Sequence, residues 1–231
     1  MKKVIISGDA GRLEGRYYKG TENHSAAALV LHPHPLHGGT MNNKVVYHTF
    51  HTFVKSNFSV LRFNFRGVGK SVGTFEHGQG ELIDAATALD WLQSNNPEAS
   101  SYWIAGFSFG AWIAMQLLMR RPEINGFIAI APPASSYDFS FLSLCTTPGL
   151  IIQGTGDNIS KEKHSRSLYE KLAEQQDSKV EYALIKEADH FFTNHQKELV
   201  GTIEQFIKPR IIRPTRPKKI RRDRRKKGVI A

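Results

Sequence analysis

Short apolar segments alternate with longer amphipathic ones along the first 208 residues, and this alternation constrains the fold more than any other feature of the sequence. Apolar or β-branched runs predict strands, and segments with apolar residues three and four positions apart predict helices. The predicted strands are 4–7, 13–18, 26–32, 59–65, 101–106, 126–131, 149–153 and 180–186, and the predicted helices are 43–55, 81–94, 110–121, 161–176 and 193–207. Strands that alternate with helices usually pair in parallel. The sequence therefore predicts an α/β protein with a mostly parallel sheet flanked by helices.

The positive charge of the chain is concentrated at its C-terminus. The segment from Lys208 onward holds twelve of the 31 Lys and Arg residues but only Asp223 of the 21 acidic residues, so it accounts for the formal net charge of +10. Little in this segment could build a core, and we predict one α/β domain over 1–208 and a basic, disordered tail over 209–231. Such a tail attracts phosphates, so weak contact with nucleic acid or an anionic surface is one expectation for it. A solvated tail without a function is the other.

Several classes of protein are excluded by composition. Cys145 is the only cysteine, so neither an internal disulfide nor a cysteine metal site is possible. No apolar run approaches the roughly 20 residues of a membrane span, and the N-terminus lacks the apolar core of a signal peptide. We therefore expect a cytoplasmic protein without a membrane span, metal or cofactor, and the sequence does not predict its oligomeric state.

One serine stands where a nucleophile is expected. Ser108 lies in Gly-Phe-Ser-Phe-Gly, directly after the predicted strand 101–106 and before the predicted helix 110–121. A strand, a sharp turn and a helix around this pattern are typical of a nucleophile elbow, in which the small glycines permit the turn and the serine hydroxyl is exposed. The helix N-terminus, including the N–H of Phe109, could stabilise negative charge on a substrate oxygen.

A serine nucleophile needs a base and an acid that orients the base, and both are expected later in the chain. Around an elbow of this kind the acid comes next and the histidine last, each after a strand. Asp157 follows the strand 149–153, and His190 follows the strand 180–186, whereas the other two late histidines fall within predicted helices. Asp157 and His190 are therefore the predicted acid and base. Asp138, in the preceding loop, is the reserve candidate for the acid.

The loop after the predicted strand 26–32 is rich in histidine and proline. It reads His-Pro-His-Pro-Leu-His-Gly-Gly, so a metal site of His32, His34 and His37 has to be considered, but no second cluster of ligands stands at suitable spacing. In elbow-containing folds this loop supplies a second N–H to the oxyanion hole. The prolines have no N–H to donate, so the donor is His34 or Leu36, and we favour His34.

Taken together, the motifs LHPHPLHGGTMNNKVV, RFNFRGVGKSVG and AGFSFGAW resemble the α/β-hydrolase superfamily over residues 1 to about 208. Within it they look like small bacterial hydrolases related to dienelactone hydrolase and to serine aminopeptidase-like esterases. The resemblance implies an eight-stranded, mostly parallel sheet, a Ser-His-Asp triad and a metal-free hydrolytic mechanism. Dienelactone hydrolase uses a cysteine nucleophile where this chain has Ser108, so its substrate does not carry over, and the basic tail falls outside the family pattern.

The predicted function is a serine hydrolase that acts on a small, ester-like carbonyl compound through an acyl-enzyme. Only about 17 residues separate Pro132 from Pro148, where many hydrolases insert a lid, so no large cap is expected. Phe139, Phe141 and Leu142 in this segment suggest a small or medium acyl group. Esterase, thioesterase and peptidase activity remain alternatives within the class. The rival from another class is a catalytically silent protein of the same fold that binds nucleic acid or an anionic surface through its tail.

Overall fold

The protein is described by a computed structural model that covers residues 1–22, 24–142 and 144–211. The strands are β1 (Lys2–Gly8), β2 (Gly11–Tyr18), β3 (Ala27–Leu31), β4 (Ser59–Phe63), β5 (Tyr102–Phe107), β6 (Ile124–Ile130), β7 (Gly149–Gly154) and β8 (Val180–Ile185). The helices are α1 (Lys44–Lys55), α2 (Gln79–Ser94), α3 (Phe109–Leu118), α4 (Glu162–Ala173) and α5 (Gln196–Ile207). All eight strands join one sheet in the order β1-β2-β4-β3-β5-β6-β7-β8.

The sheet is mostly parallel, as the alternation predicts. Only β1–β2 and β2–β4 pair antiparallel, and the six strands from β3 to β8 run parallel. The central strands are covered on both faces, which is why β3, β4 and β7 are buried along their whole length. β3 is wholly apolar, whereas β4 and β7 each bury one long polar side chain, Arg62 and Gln153. The predicted fold class, including the absence of a large cap, is confirmed: among the described residues between β6 and β7, the helical structure is one short 3₁₀ helix, Ser140–Leu142.

The helices divide the core between the two faces of the sheet. Helices α2, α3 and α4 pack on one face, where residues such as Leu89, Ile113 and Leu172 are buried. Helices α1 and α5 pack on the other, where Phe53 and Ile203 are buried. None of the helices in the described part of the chain combines the length and the apolar character that crossing a membrane requires.

Helix α5 begins three residues later than the sequence predicts. The predicted segment 193–207 includes Asn194, whose φ of 62° lies in the left-handed region, and Phe192 just before it has a φ of 53°. A right-handed helix cannot pass through such residues, so it starts only at Gln196. The loop after β8, in which His190 lies, is therefore longer than predicted.

The first residues of the predicted tail pack on the domain. Lys208–Arg210 forms a 3₁₀ helix. The Arg210 guanidinium lies 4.0 Å from the ring centroid of Phe206 and donates to Glu181, and Ile211 packs on the core face of α1 and α5. The rest of the predicted tail, residues 212–231, lies outside the described residues.

Candidate active site

Ser108 occupies a strained turn between β5 and α3. Its φ of 54° and ψ of −121° are unfavourable for a residue with a side chain, and such strain is typical of functional sites. The turn is held by the Ser108 N–H, which donates to the Ile130 carbonyl at 2.8 Å. As a result Ser108 lies at the carboxyl edge of the parallel strands, where α/β proteins bind their ligands.

The two glycines around Ser108 allow two backbones to approach closely. A side chain at Gly106 would overlap the carbonyl of Gly110. A side chain at Gly110 would lie 2.5 Å from the carbonyl oxygen of His32 and 2.6 Å from that of Leu31. Helix α3 can therefore start against the end of β3 only because these positions have no Cβ, which gives the glycines of the motif a steric role.

We expect Gly110→Ala to lower the free energy of unfolding by about 3 kcal/mol, because the added methyl meets backbone atoms that cannot rotate away. Gly201→Ala is the matched control, since a Cβ there meets nothing within 4 Å and alanine favours helix α5. The control should leave stability unchanged or raise it by up to about 1 kcal/mol. Urea unfolding followed by circular dichroism measures both, and equal stabilities for the two variants would contradict the close approach.

Ser108, His190 and Asp157 meet in one chain of hydrogen bonds. His190 Nε2 lies 3.1 Å from Ser108 Oγ, and His190 Nδ1 lies 2.7 Å from Asp157 Oδ2. Since a carboxylate only accepts, Nδ1–H donates to Asp157, and Nε2 is left to accept the Ser108 hydroxyl proton. Asp157 comes from the loop after β7 and His190 from the loop after β8, and both are buried. The structure thus brings together the three residues that the sequence singles out for nucleophilic catalysis.

Three donors besides His190 fix the Asp157 carboxylate. The backbone N–H groups of Ile159 and Ser160 each donate to Oδ1 at 2.8 Å, and Gln153 Nε2 donates to Oδ2 at 3.0 Å. Gln153 is not among the site residues predicted from the sequence. It could have been found there, because it is a polar residue near the end of the otherwise apolar strand Gly-Leu-Ile-Ile-Gln-Gly, which is buried in the structure. A buried amide in a parallel strand needs partners, and the Gln153 Nε2 finds them in the Asp157 carboxylate at 3.0 Å and the Ser160 carbonyl at 2.8 Å.

The imidazole of His190 is held between aromatic rings. Its centroid lies 5.0 Å from that of Phe107 on β5 and 5.3 Å from that of Phe191. Phe191 itself is 47% exposed, so one side of the histidine is screened by a ring that reaches the surface. These contacts restrict rotation of the imidazole and keep Nε2 directed at Ser108.

The two candidates for the second oxyanion donor differ in their hydrogen bonds. His34 caps the 3₁₀ helix Pro35–His37, and its Nδ1 accepts from the Leu36 N–H at 3.2 Å. The backbone N–H groups of His34 and Phe109 have no acceptor among the described residues. The rings of these two residues lie 5.1 Å apart, so the loop and the start of α3 are neighbours. His34 and Phe109, rather than Leu36, therefore have N–H groups free for a substrate oxygen.

His32 has a structural role, because both of its ring nitrogens are hydrogen-bonded within the fold. Its ring is fully buried, Nδ1–H donates to the Pro33 carbonyl at 2.6 Å, and Nε2 accepts from the Phe65 N–H at 3.0 Å. Burial lowers the pKa of His32 to about 4, so the imidazole is neutral. The rings of His34 and His37 instead stack on each other at 4.2 Å. Within the described part of the chain, no three His, Cys, Asp or Glu side chains are grouped closely enough to hold a metal.

The carboxylate of Asp138, the reserve candidate for the acid, is hydrogen-bonded away from His190. Asp138 Oδ1 accepts from the Ser140 N–H at 2.9 Å and Oδ2 from the Ser140 hydroxyl at 2.7 Å, so it caps the short 3₁₀ helix. Asp189 precedes His190 in sequence, but its carboxylate accepts from the Thr193 N–H at 2.7 Å. Neither carboxylate contacts the His190 ring, and Asp157 is the acid that does.

A cleft of about 710 Å³ opens between the segment after β6 and helix α4. Its apolar lining residues are Ala134, Tyr137, Phe139, Leu142, Leu168 and Leu172. Ser108 does not line this cleft, but Tyr137 does, and the Tyr137 ring lies 5.8 Å from that of Phe109 and 4.4 Å from that of Trp112. The cleft therefore borders the aromatic side chains at the start of helix α3.

Two family models match the chain. The model of the serine aminopeptidase S33 family matches residues 26–139, and the PET hydrolase-like model matches residues 84–211. An uncharacterized protein of Rickettsia prowazekii is 52% identical over 211 residues, which cover 90% of this chain and 89% of that protein. Both models describe hydrolases, and they do not favour a protein that only binds.

The solved structures that this chain resembles include α/β serine hydrolases. A protein of unknown function from Agrobacterium tumefaciens is 52% identical, with a TM-score of 0.88 over 90% of this chain and 96% of that one. An α/β serine hydrolase without a lid, from Xanthomonas campestris, is 30% identical, with a TM-score of 0.82 over 94% of this chain and 96% of that one. An α/β serine hydrolase homologue from Coxiella burnetii is 32% identical, with a TM-score of 0.80 over 88% of this chain and 96% of that one.

Proposed function

The chain belongs to the α/β-hydrolase superfamily, as a serine hydrolase without a lid, and from this premise we propose that it hydrolyses carboxylic esters through a Ser108-His190-Asp157 triad. The observation that carries the proposal is the hydrogen-bonded chain from Ser108 Oγ through the His190 imidazole to the Asp157 carboxylate, with distances of 3.1 and 2.7 Å. Its members come from three different loops at the carboxyl edge of the sheet, and their order and contacts are those of a nucleophile, a base and an orienting acid.

In the proposed first step, His190 Nε2 takes the hydroxyl proton of Ser108 while Oγ forms a bond to the carbonyl carbon of the ester. The carbonyl oxygen becomes an oxyanion, and the N–H groups of Phe109 and His34 donate to it. Asp157 stabilises the imidazolium that forms. The imidazolium then gives its proton to the departing alcohol as the carbon–oxygen bond of the ester breaks, which leaves an acyl group on Ser108.

In the second step water releases the acyl group. His190 takes a proton from the water, the hydroxide attacks the acyl carbon, and the proton returns to Ser108 as the acid departs. The reaction needs no group beyond the side chains and backbone donors already described. The free N–H of His34 supports its assignment as the second oxyanion donor, because the Leu36 N–H is occupied by the His34 ring.

The size of the substrate is inferred from the segment after β6. This segment is short and contains one short 3₁₀ helix among its described residues, so it adds no large cap to the edge of the sheet where Ser108 lies. Its aromatic side chains, Tyr137 and Phe139, support a small or medium acyl group as the preferred one.

A fluorophosphonate probe and a substrate panel test the proposal. The purified protein should be labelled by the probe and should hydrolyse p-nitrophenyl acetate and butyrate faster than the matching thioesters or an amino-acid anilide. Faster cleavage of the thioester or the anilide would assign one of the other two activities to the same triad. A protein that is neither labelled nor active on any member of the panel would refute a catalytic role for Ser108.

A further inference from the structure

Three basic residues form a row across the sheet, on the face that α1 covers. Lys3 on β1 pairs with Arg16 on β2, and Arg16 pairs with Arg62 on β4. Residues directly opposite each other on adjacent strands point to the same face of the sheet. Like charges in such positions repel each other, so this row costs stability unless an opposite charge is present.

The innermost member of the row is buried without an acid. Arg62 is only 3% exposed, and no carboxylate lies within 4.0 Å of Lys3, Arg16 or Arg62 in the described ranges. Its Nη1 donates to the Met41 carbonyl, but its Nε is buried with no partner in the same ranges. A buried guanidinium with unused donors is expensive, and burial together with Arg16 lowers the pKa of Arg62.

The surroundings of the row hold lysines and one acid on the same face. Helix α1 contains Lys44 and Lys55 and has no acidic residue. Glu14 shares the face of Arg16 on β2, but its Oε1 accepts from Asn64 Nδ2 at 2.7 Å and from the Lys70 N–H at 2.8 Å. The carboxylate of this strand is therefore committed to the loop after β4.

Two rings on α1 frame the guanidinium of Arg62. It lies 5.5 Å from the ring centroid of Tyr47 and 5.0 Å from that of Phe50. Tyr47 is 45% exposed, so the aromatic surface beside the row reaches solvent. The rings fix the orientation of the guanidinium but satisfy neither Nε nor the repulsion from Arg16.

We propose that Lys3, Arg16 and Arg62 form a binding site for a phosphate group, remote from Ser108 and independent of the proposed hydrolysis. Phosphate matches the row because it carries up to two negative charges and several acceptor oxygens, and guanidinium groups bind such oxygens in pairs. Arg62 Nη2 has no hydrogen-bond partner among the described residues and, unlike Nε, is not wholly buried, so it is the donor that a phosphate oxygen can reach. Arg16 is half-buried beside it, and Lys3 is exposed at the end of the row. One strand of the sheet, β3, lies between β4, which carries Arg62, and the β5 strand that leads to Ser108.

The phosphate could be inorganic or part of an organic monoester, and the exposed ring of Tyr47 distinguishes them. A base or other ring attached to the phosphate would stack on Tyr47 and bind more tightly than the bare ion. The test therefore compares inorganic phosphate with adenosine monophosphate, by calorimetric titration of the full-length protein at constant ionic strength with chloride as the reference anion.

Arg16→Gln is expected to weaken the binding of both ligands at least tenfold. Lys2→Gln removes the same charge from the opposite face of the sheet, where Lys2 pairs with Tyr17, and should change binding less than twofold. Arg62→Met should abolish binding, and because Arg62 is buried its fold is checked by fluorophosphonate labelling and by its melting temperature. Tighter binding of adenosine monophosphate that is lost in Tyr47→Leu would identify an organic monoester, and equal binding of both ligands would identify phosphate itself.

Two results would overturn the site. One is no binding of either phosphate above the chloride reference. The other is an equal loss of phosphate affinity in Arg16→Gln and Lys2→Gln, which would mean that the ligands respond to the net charge of the protein and not to the row. If Arg62→Met does not fold, Arg16→Gln and Lys2→Gln decide the question without it.

Discussion

Ser108→Ala is expected to reduce kcat/KM for p-nitrophenyl butyrate by about three to six powers of ten and to abolish fluorophosphonate labelling. The variant keeps the backbone of the elbow and the free N–H groups of Phe109 and His34 but has no atom that can form the acyl-enzyme. Any residual rate then comes from water attacking a substrate that is bound and polarised at the same site. Initial rates measured at several enzyme concentrations give the ratio of kcat/KM between the parent protein and the variant.

Ser136→Ala is the matched control for this loss. Ser136 is an exposed serine on the loop after β6, and its recorded side-chain contact is a 3.5 Å approach to the hydroxyl of Ser135. Its replacement should leave both the rate and the labelling within about twofold of the parent. If Ser108→Ala hydrolyses the ester as fast as the parent protein, the nucleophile is another residue and the proposed mechanism fails.

Asp157→Asn is expected to lower kcat by about four powers of ten with little change in the fold. The reason lies in the two hydrogen bonds of His190. An asparagine amide at this position can donate to Nδ1, so the imidazole proton moves to Nε2, where it faces Ser108 and cannot accept the hydroxyl proton. The pH profile of kcat and the circular dichroism spectrum of the variant separate this effect from unfolding.

Asp138→Asn tests the alternative acid under the same conditions. Because Asp138 is bound to the N–H and hydroxyl of Ser140, its replacement should change kcat by less than about threefold. A large loss in Asp138→Asn together with a small one in Asp157→Asn would reverse the assignment and require the loop after β6 to move toward His190.

Much of the candidate site follows from local sequence signals. The glycines around Ser108, the strand before it and the helix after it define the elbow without reference to any other part of the chain. Asp157 and His190 were selected because each follows a predicted strand, and strands in parallel sheets end at a common edge. The observed bounds of β7 and β8 differ from the predicted ones by a single residue at their C-terminal ends, so both loops arise where expected.

Other features could not be read from the sequence because they depend on side-chain geometry. The sequence favours His34 over Leu36 as the second oxyanion donor, but the hydrogen bond that occupies the Leu36 N–H depends on the His34 ring turning back toward it. The contact between Gln153 and Asp157 depends on how a buried strand meets the loop that follows it. The row of Lys3, Arg16 and Arg62 depends on the register of two antiparallel pairs, and a shift of one residue would move Arg16 to the other face.

The order of strands and helices, the elbow around Ser108 and the candidates for its partners follow from local sequence, because hydrophobic period and turn chemistry act over a few residues. The contacts of His190 with Ser108, 82 positions away, and with Asp157, 33 positions away, exist only in the folded chain. Contacts of about 3 Å between such distant residues depend on the strand order, the twist of the sheet and the packing of its helices. These features arise only when the whole domain folds.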